Sequence, residues 1–91
     1  DLRERIAVDW NEIVAARERL VVAERARRIA GEVFESFTRQ YTTGRKTWVD
    51  VLNAVRETAQ AELIEIDVRS QVAAAALRLE TLTTASTDGG R

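Results

Sequence analysis

Cysteine, histidine and methionine are all missing from the chain. Their absence removes the thiol nucleophile, the side chain that titrates near neutral pH and the soft metal ligands together. Enzyme chemistry would have to rest on carboxylates, lysine and hydroxyl groups. Carboxylate pairs do occur, Glu62 with Glu65 and Glu65 with Asp67. The sequence sets no nucleophile, metal shell or pocket beside them, so neither catalysis nor a cofactor is expected. Without cysteine, no disulfide argument bears on the compartment.

Proline is also absent, glycine occurs only four times, and aromatic residues make up 5%. Alanine, valine and leucine supply most of the apolar side chains, and small side chains favour close helix packing over a thick globular core. Charge of one sign is lacking too. The formal net charge is -1 although 32% of residues are charged, which fits neither a polybasic nucleic-acid binder nor an acidic tail. Arg25, Arg27 and Arg28 cluster, but Glu24 and Glu32 flank them, so a solvated, paired face is expected there and no nucleic acid. No apolar run approaches the roughly 18 residues a spanning helix needs. The chain begins DLRER, with no initiator methionine and no signal peptide. It is therefore expected to be a piece of a longer protein.

What the sequence does have is periodicity. From Ile6 the apolar positions run Ile6, Trp10, Ile13, Ala16, Leu20, Ala23, Ala26 or Arg27, Ala30, Phe34, Phe37 and Tyr41, at steps of three and four. Their mean spacing corresponds to a repeat of about 3.5 residues per turn, the signature of a left-handed supercoil. From Trp48 a second series runs through Leu52, Val55, Ala59, Leu63, Ile66, Ser70, Ala73 and Leu77. The same segment carries another stripe, Ala61, Ile64, Val68, Val72, Ala75, Leu79 and Leu82, displaced around the axis. The first segment has a weaker counterpart in Val22, Ala26, Ile29 and Val33. A hairpin of two helices needs one seam, so a second stripe implies further neighbours. Trp10 and Trp48 lie on these stripes and are read as packing residues. Ion pairs at i,i+4 are expected for Glu24 with Arg28, Glu35 with Arg39 and Glu65 with Arg69, each contributing about 0.3–0.5 kcal/mol.

Between the two series lies Arg39-Gln-Tyr41-Thr-Thr-Gly44-Arg-Lys46-Thr47. Thr42 and Thr43 are poor helix formers, and Gly44 enters the left-handed region without steric cost. Thr47 followed by Asp50 has capping-box spacing and starts a new helix, with Asp50 in the first turn where the helix dipole favours negative charge. The expected fold is all-α, an antiparallel helical hairpin of coiled-coil type. Its parts are a first helix over 1–41, a tip at 42–46, a second helix over 47–83 and a disordered tail at 84–91. Each arm would be roughly 55–60 Å long.

The run Tyr41-Thr-Thr-Gly44-Arg-Lys46-Thr47-Trp-Val-Asp50-Val51-Leu52-Asn53-Ala54, followed by Ala61, Leu63, Arg69 and Leu77-x-Leu79, resembles the last periplasmic helical hairpin of the TolC family of outer-membrane channel proteins. The likeness covers about residues 25–82. The tryptophan after Thr47 and the V-L-N-A-V-R-E run look most like members serving type I secretion. The resemblance implies that the hairpin is a fragment of a periplasmic α-barrel, at the entrance of a trimeric exit duct for secretion or efflux. Its implied partners are two further copies in a homotrimer, a periplasmic adaptor (membrane fusion) protein and an inner-membrane transporter. Its implied place is the periplasm of a bacterial cell with an outer membrane.

By motif position, the resemblance makes Tyr41 and Lys46 gate residues that bond to neighbouring helices, and Asp50 and Asn53 residues of the pore mouth. It makes Thr43, Gly44 and Arg45 the adaptor-docking tip. Three positions depart from the family pattern. Lys46 lacks the planar fork of the arginine common there, and Arg45 is its possible substitute. Asn53 replaces a second acid, so only weak cation attraction is expected at Asp50. Thr43 replaces a common apolar residue, which makes the docking contacts more polar. Periodicity alone would make Tyr41 the last core residue of the first helix. The alternative function is a self-associating coiled-coil scaffold, and in either case the isolated chain is expected to self-associate.

Overall fold

The computed structural model describes residues 1–89, with side chains described through residue 85. It consists of two long helices, α1 (Leu2–Thr42) and α2 (Trp48–Gly89), joined by a short turn. Asp1 caps α1 by accepting a hydrogen bond from the Arg3 amide at 3.3 Å, and Glu4 lies in its first turn. With no proline and a single interior glycine, Gly31, nothing in α1 interrupts 41 residues of helix.

The helices lie antiparallel, giving a rod with Cα extents of 71 × 14 × 13 Å. Partners across the seam sit about equally far from Arg45, as in Arg19 with Gln71 and Glu12 with Arg78. The α1 side of the seam is Ile6, Asp9, Ile13, Ala16, Leu20, Ala23, Arg27, Ala30, Phe34 and Phe37, all buried or half-buried except Arg27. The α2 side is Val51, Ala54, Thr58, Ala61, Glu65, Val68, Val72, Ala75, Leu79 and Leu82, without exception buried or half-buried. Both sides step by three and four throughout, which is the coiled-coil repeat.

This seam corrects the sequence reading in several places. On α2 it is the displaced stripe, from Ala61 onward, that meets α1, whereas Leu52, Leu63, Ile66 and Leu77 of the first series are exposed. Ile64 is also exposed, and Glu65 holds the seam position next to it. On α1, Trp10 is 57% exposed and Asp9 takes its place. Of the two candidates at the next irregular position, Arg27 is the one that reaches across, to Glu65.

Three polar residues of the seam, Arg27, Thr58 and Glu65, are partnered. Arg27 Nε donates to Glu65, whose side chain is only 12% exposed. The Thr58 hydroxyl lies 2.8 Å from the Ala54 carbonyl and 3.3 Å from that of Ala30 on α1. Of the expected i,i+4 ion pairs, Glu65–Arg69 forms at 3.2 Å. Glu24 turns across the seam to Arg69 at 3.8 Å rather than along α1 to Arg28, and no bond links Glu35 to Arg39. Such exposed pairs contribute about 0–1 kcal/mol each.

Large apolar side chains are scarce in the core. Full burial of such a residue stabilises by about 1.5–3 kcal/mol, and the larger ones that reach it are Ile13, Val51 and Val68, alongside Ala16, Ala23, Ala54 and Ala75. Helix α2 also runs past Leu82 to Gly89, where a disordered tail was expected from 84. Extending a formed helix adds one hydrogen bond per residue fixed, and no proline stops it. Residues 90 and 91 of the expected tail lie outside the described residues.

Candidate functional site at the hairpin tip

The turn is closed by two complementary devices. Thr43 ends α1, and Gly44 follows with φ of 81°. The Gly44 amide donates to the Tyr41 carbonyl at 3.1 Å and the Arg45 amide to the Gln40 carbonyl at 2.7 Å. This pair of bonds is a Schellman motif, which satisfies carbonyls that the helix end leaves open. The Thr42 and Thr43 hydroxyls donate to the Arg39 and Gln40 carbonyls, at 2.7 and 3.0 Å. Helix α2 then opens with a reciprocal capping box. The Thr47 amide and hydroxyl both donate to Asp50 Oδ2 at 3.0 Å, and the Asp50 amide donates to Thr47 Oγ1 at 3.3 Å.

These bonds fix the chemistry of Asp50. The Thr47 amide and hydroxyl, with the Lys46 charge beside them, hold its carboxyl below the ordinary aspartate value, against a smaller opposing effect of partial burial. Only Oδ2 accepts in the cap, and Oδ1 has no hydrogen bond among the described residues. Asn53 lies three residues further along the helix, on the same side of it, and is exposed.

The remaining tip residues fall into two groups. The Lys46 ammonium rests 4.4 Å from the centroid of the Phe37 ring, a cation–π contact within the hairpin. Tyr41 is 43% exposed and tilts against Trp48, with ring centroids 5.7 Å apart. Thr43, Gly44 and Arg45 are exposed at the extreme end. The tip thus brings Tyr41, Lys46 and Asp50 onto one short turn, with Lys46 and Asp50 already engaged by their own hairpin and the Arg45 side chain free.

The Arg27–Glu65 bridge, the Lys46–Phe37 contact and the Tyr41–Trp48 pair are absent from the sequence reading. The bridge alone had a signal: Glu65 falls four residues after Ala61 and three before Val68, in step with the seam. Its carboxyl is held below the ordinary glutamate value, chiefly by Arg27 and secondarily by Arg69, with burial opposing. Among the described residues no cluster of His, Cys, Asp and Glu could hold a metal ion, and no helix is long and apolar enough to cross a membrane. No family model, curated protein or solved structure matches the chain.

Proposed function

We propose that the chain is the entrance hairpin of a TolC-like outer-membrane exit duct, serving type I secretion or efflux within a longer, trimeric protein. The observation that carries this reading is the face of α2 turned away from α1. Leu63, Ile66 and Leu77 there are 66%, 61% and 64% exposed, although α2 already buries a complete seam. A helix with two apolar faces belongs between two other helices, and a tunnel wall of helices supplies a neighbour on each side.

In this role the hairpin is passive and performs no chemistry. A trimer brings three copies of Asp50 to the mouth, each with Oδ1 free while Oδ2 caps α2, so capping and cation attraction coexist in one side chain. Asn53 adds no charge to that ring. The gate is held by bonds from the tip to neighbouring helices. Arg45 and the Tyr41 hydroxyl are free for them, and Lys46 joins them by leaving Phe37, a contact worth about 0.5–1 kcal/mol at an exposed site. The polar end formed by Thr43, Gly44 and Arg45 is the docking surface for a periplasmic adaptor, which links the duct to an inner-membrane transporter.

The test is single-channel conductance of the longer protein in planar lipid bilayers, with divalent cations added on the periplasmic side. Block by cations in the native channel and its loss in Asp50→Asn are the expected results. Channels blocked equally in both would remove Asp50 from the mouth, and absence of any channel would favour the second reading. That second reading is a self-associating coiled-coil scaffold, which the same uncovered face of α2 also favours.

A further inference from the structure

The two helices differ on the faces turned away from their common seam. On α1 that face presents Asn11, Glu18, Arg25, Glu32 and Arg39, all exposed. On α2 it presents Leu52, Ala59, Leu63, Ile66, Ala73 and Leu77, all exposed as well. On α1 the exposed Val14, Val21, Val22 and Ile29 only flank this charged line, whereas on α2 the larger leucine and isoleucine side chains run along the back itself, with Arg56 and Ser70 between them. The leucine and isoleucine stripe of α2 is matched most simply by its own copy, through a twofold axis that places like surface on like surface.

We infer that the chain by itself forms a symmetric dimer in which the α2 helices of two copies pack antiparallel through these apolar backs, with both α1 helices outermost. The inference does not rest on the duct, where a neighbouring helix of the longer protein would take the same face.

The charges flanking the stripe select this arrangement and its register. With the twofold between Leu63 and Ile66, Ile66 lies opposite Leu63 of the second copy, and Leu52 opposite its Leu77. That register brings Glu62 alongside Arg69 of the second copy, and the symmetry repeats the pair on the other side of the axis. Glu62 has no ion-pair partner in its own hairpin among the described residues, and Arg69 is 55% exposed although it contacts Glu65 and Glu24. Parallel packing would instead place the flank that carries Glu62 and Arg69 beside the opposite flank of the second copy, so neither residue would reach the other's partner. Antiparallel α2 helices also oppose their dipoles favourably. Arg56 falls opposite Ala73, whose small side chain leaves room for the arginine stem to cross the interface and reach water.

Sedimentation equilibrium of the 91-residue chain tests this, with circular dichroism to confirm that each variant stays helical. The native chain is expected to dimerise below about 100 µM, and Ile66→Lys to raise the dissociation constant about a hundredfold or more. Val22→Lys, on α1, should leave it unchanged. Glu62→Arg and Arg69→Glu should each weaken the homodimer about tenfold, because each sets like charges together twice. An equimolar mixture of the two variants restores opposite charges at both sites and should dimerise as tightly as the native chain. A native monomer at about 100 µM, or a dimer indifferent to Ile66→Lys, would overturn the interface. A mixture no tighter than either variant alone would overturn its antiparallel register. The mixing experiment compares folded chains with one another, so a loss of the Arg69–Glu65 contact cannot imitate its result.

Discussion

Replacing Gly44 by alanine and, in a separate variant, Gly31 by alanine should move stability in opposite directions. At Gly44 the backbone sits at φ of 81°, and an added Cβ would meet nothing within 4 Å. The penalty is therefore conformational alone, about 1–2 kcal/mol for a left-handed L-residue. The reduced freedom of the unfolded chain offsets about 0.4–1 kcal/mol of it, leaving a net loss of about 1 kcal/mol. At Gly31 an added Cβ also meets nothing within 4 Å, but the backbone is α-helical. Alanine there should stabilise by about 0.5–1 kcal/mol, since interior helical glycine is disfavoured by that amount. For a chain of this size about 1 kcal/mol corresponds to about 4–8 °C in Tm. Far-ultraviolet circular dichroism melts, run at one chain concentration because association raises Tm, should show Gly44→Ala melting lower and Gly31→Ala melting higher than the native chain. Gly44→Asn should fall between Gly44→Ala and native, as asparagine tolerates the left-handed region better. A Gly44→Ala melt at or above the native one would refute the Schellman geometry of the turn.

Two further outcomes concern the polar groups of the seam and the cap. Asp50 and Glu65 both have carboxyls held below their ordinary values of 3.8 and 4.5 in the folded chain. Their contribution is thus fully present above the unfolded values and is lost as pH falls below these and through the lower folded ones. The urea midpoint should decline from about pH 5 downward, and Glu65→Gln should flatten that decline; an unchanged slope in Glu65→Gln would discount the bridge. The double variant Arg27→Leu/Glu65→Leu should have a urea midpoint equal to or above the native one, while Glu65→Leu alone, which strands Arg27, should fall below the double variant.

The turn and both capping devices were legible because their chemistry is local. Gly44 supplies the left-handed residue, and Thr47 and Asp50 lie at the spacing that lets each cap the other. The choice of seam on α2 was not legible. Thr58 and Glu65 interrupt the inward series with polar groups, while Leu63 and Ile66 make the outward series look like the core. What places Thr58 and Glu65 inside is their bonding to the Ala30 carbonyl and to Arg27, both on the other helix. Glu24 differs for the same reason, since Arg28 is its neighbour along α1 but Arg69 is within reach across the seam. Asp50 was legible as the cap because both partners of that reciprocal bond lie within one turn.

The mirrored pairing about Arg45 also constrains how such a hairpin changes length. Partners lie 28 positions apart at Thr58 and Ala30, and 66 apart at Arg78 and Glu12. Each residue farther from the turn lengthens the intervening chain by two. An insertion in one arm alone would shift every pair beyond it and rotate the inserted arm's seam off its partner, unless a whole heptad were added. Matched heptads in both arms would lengthen the rod by about 10 Å and leave the seam, the outer stripe and the tip in phase.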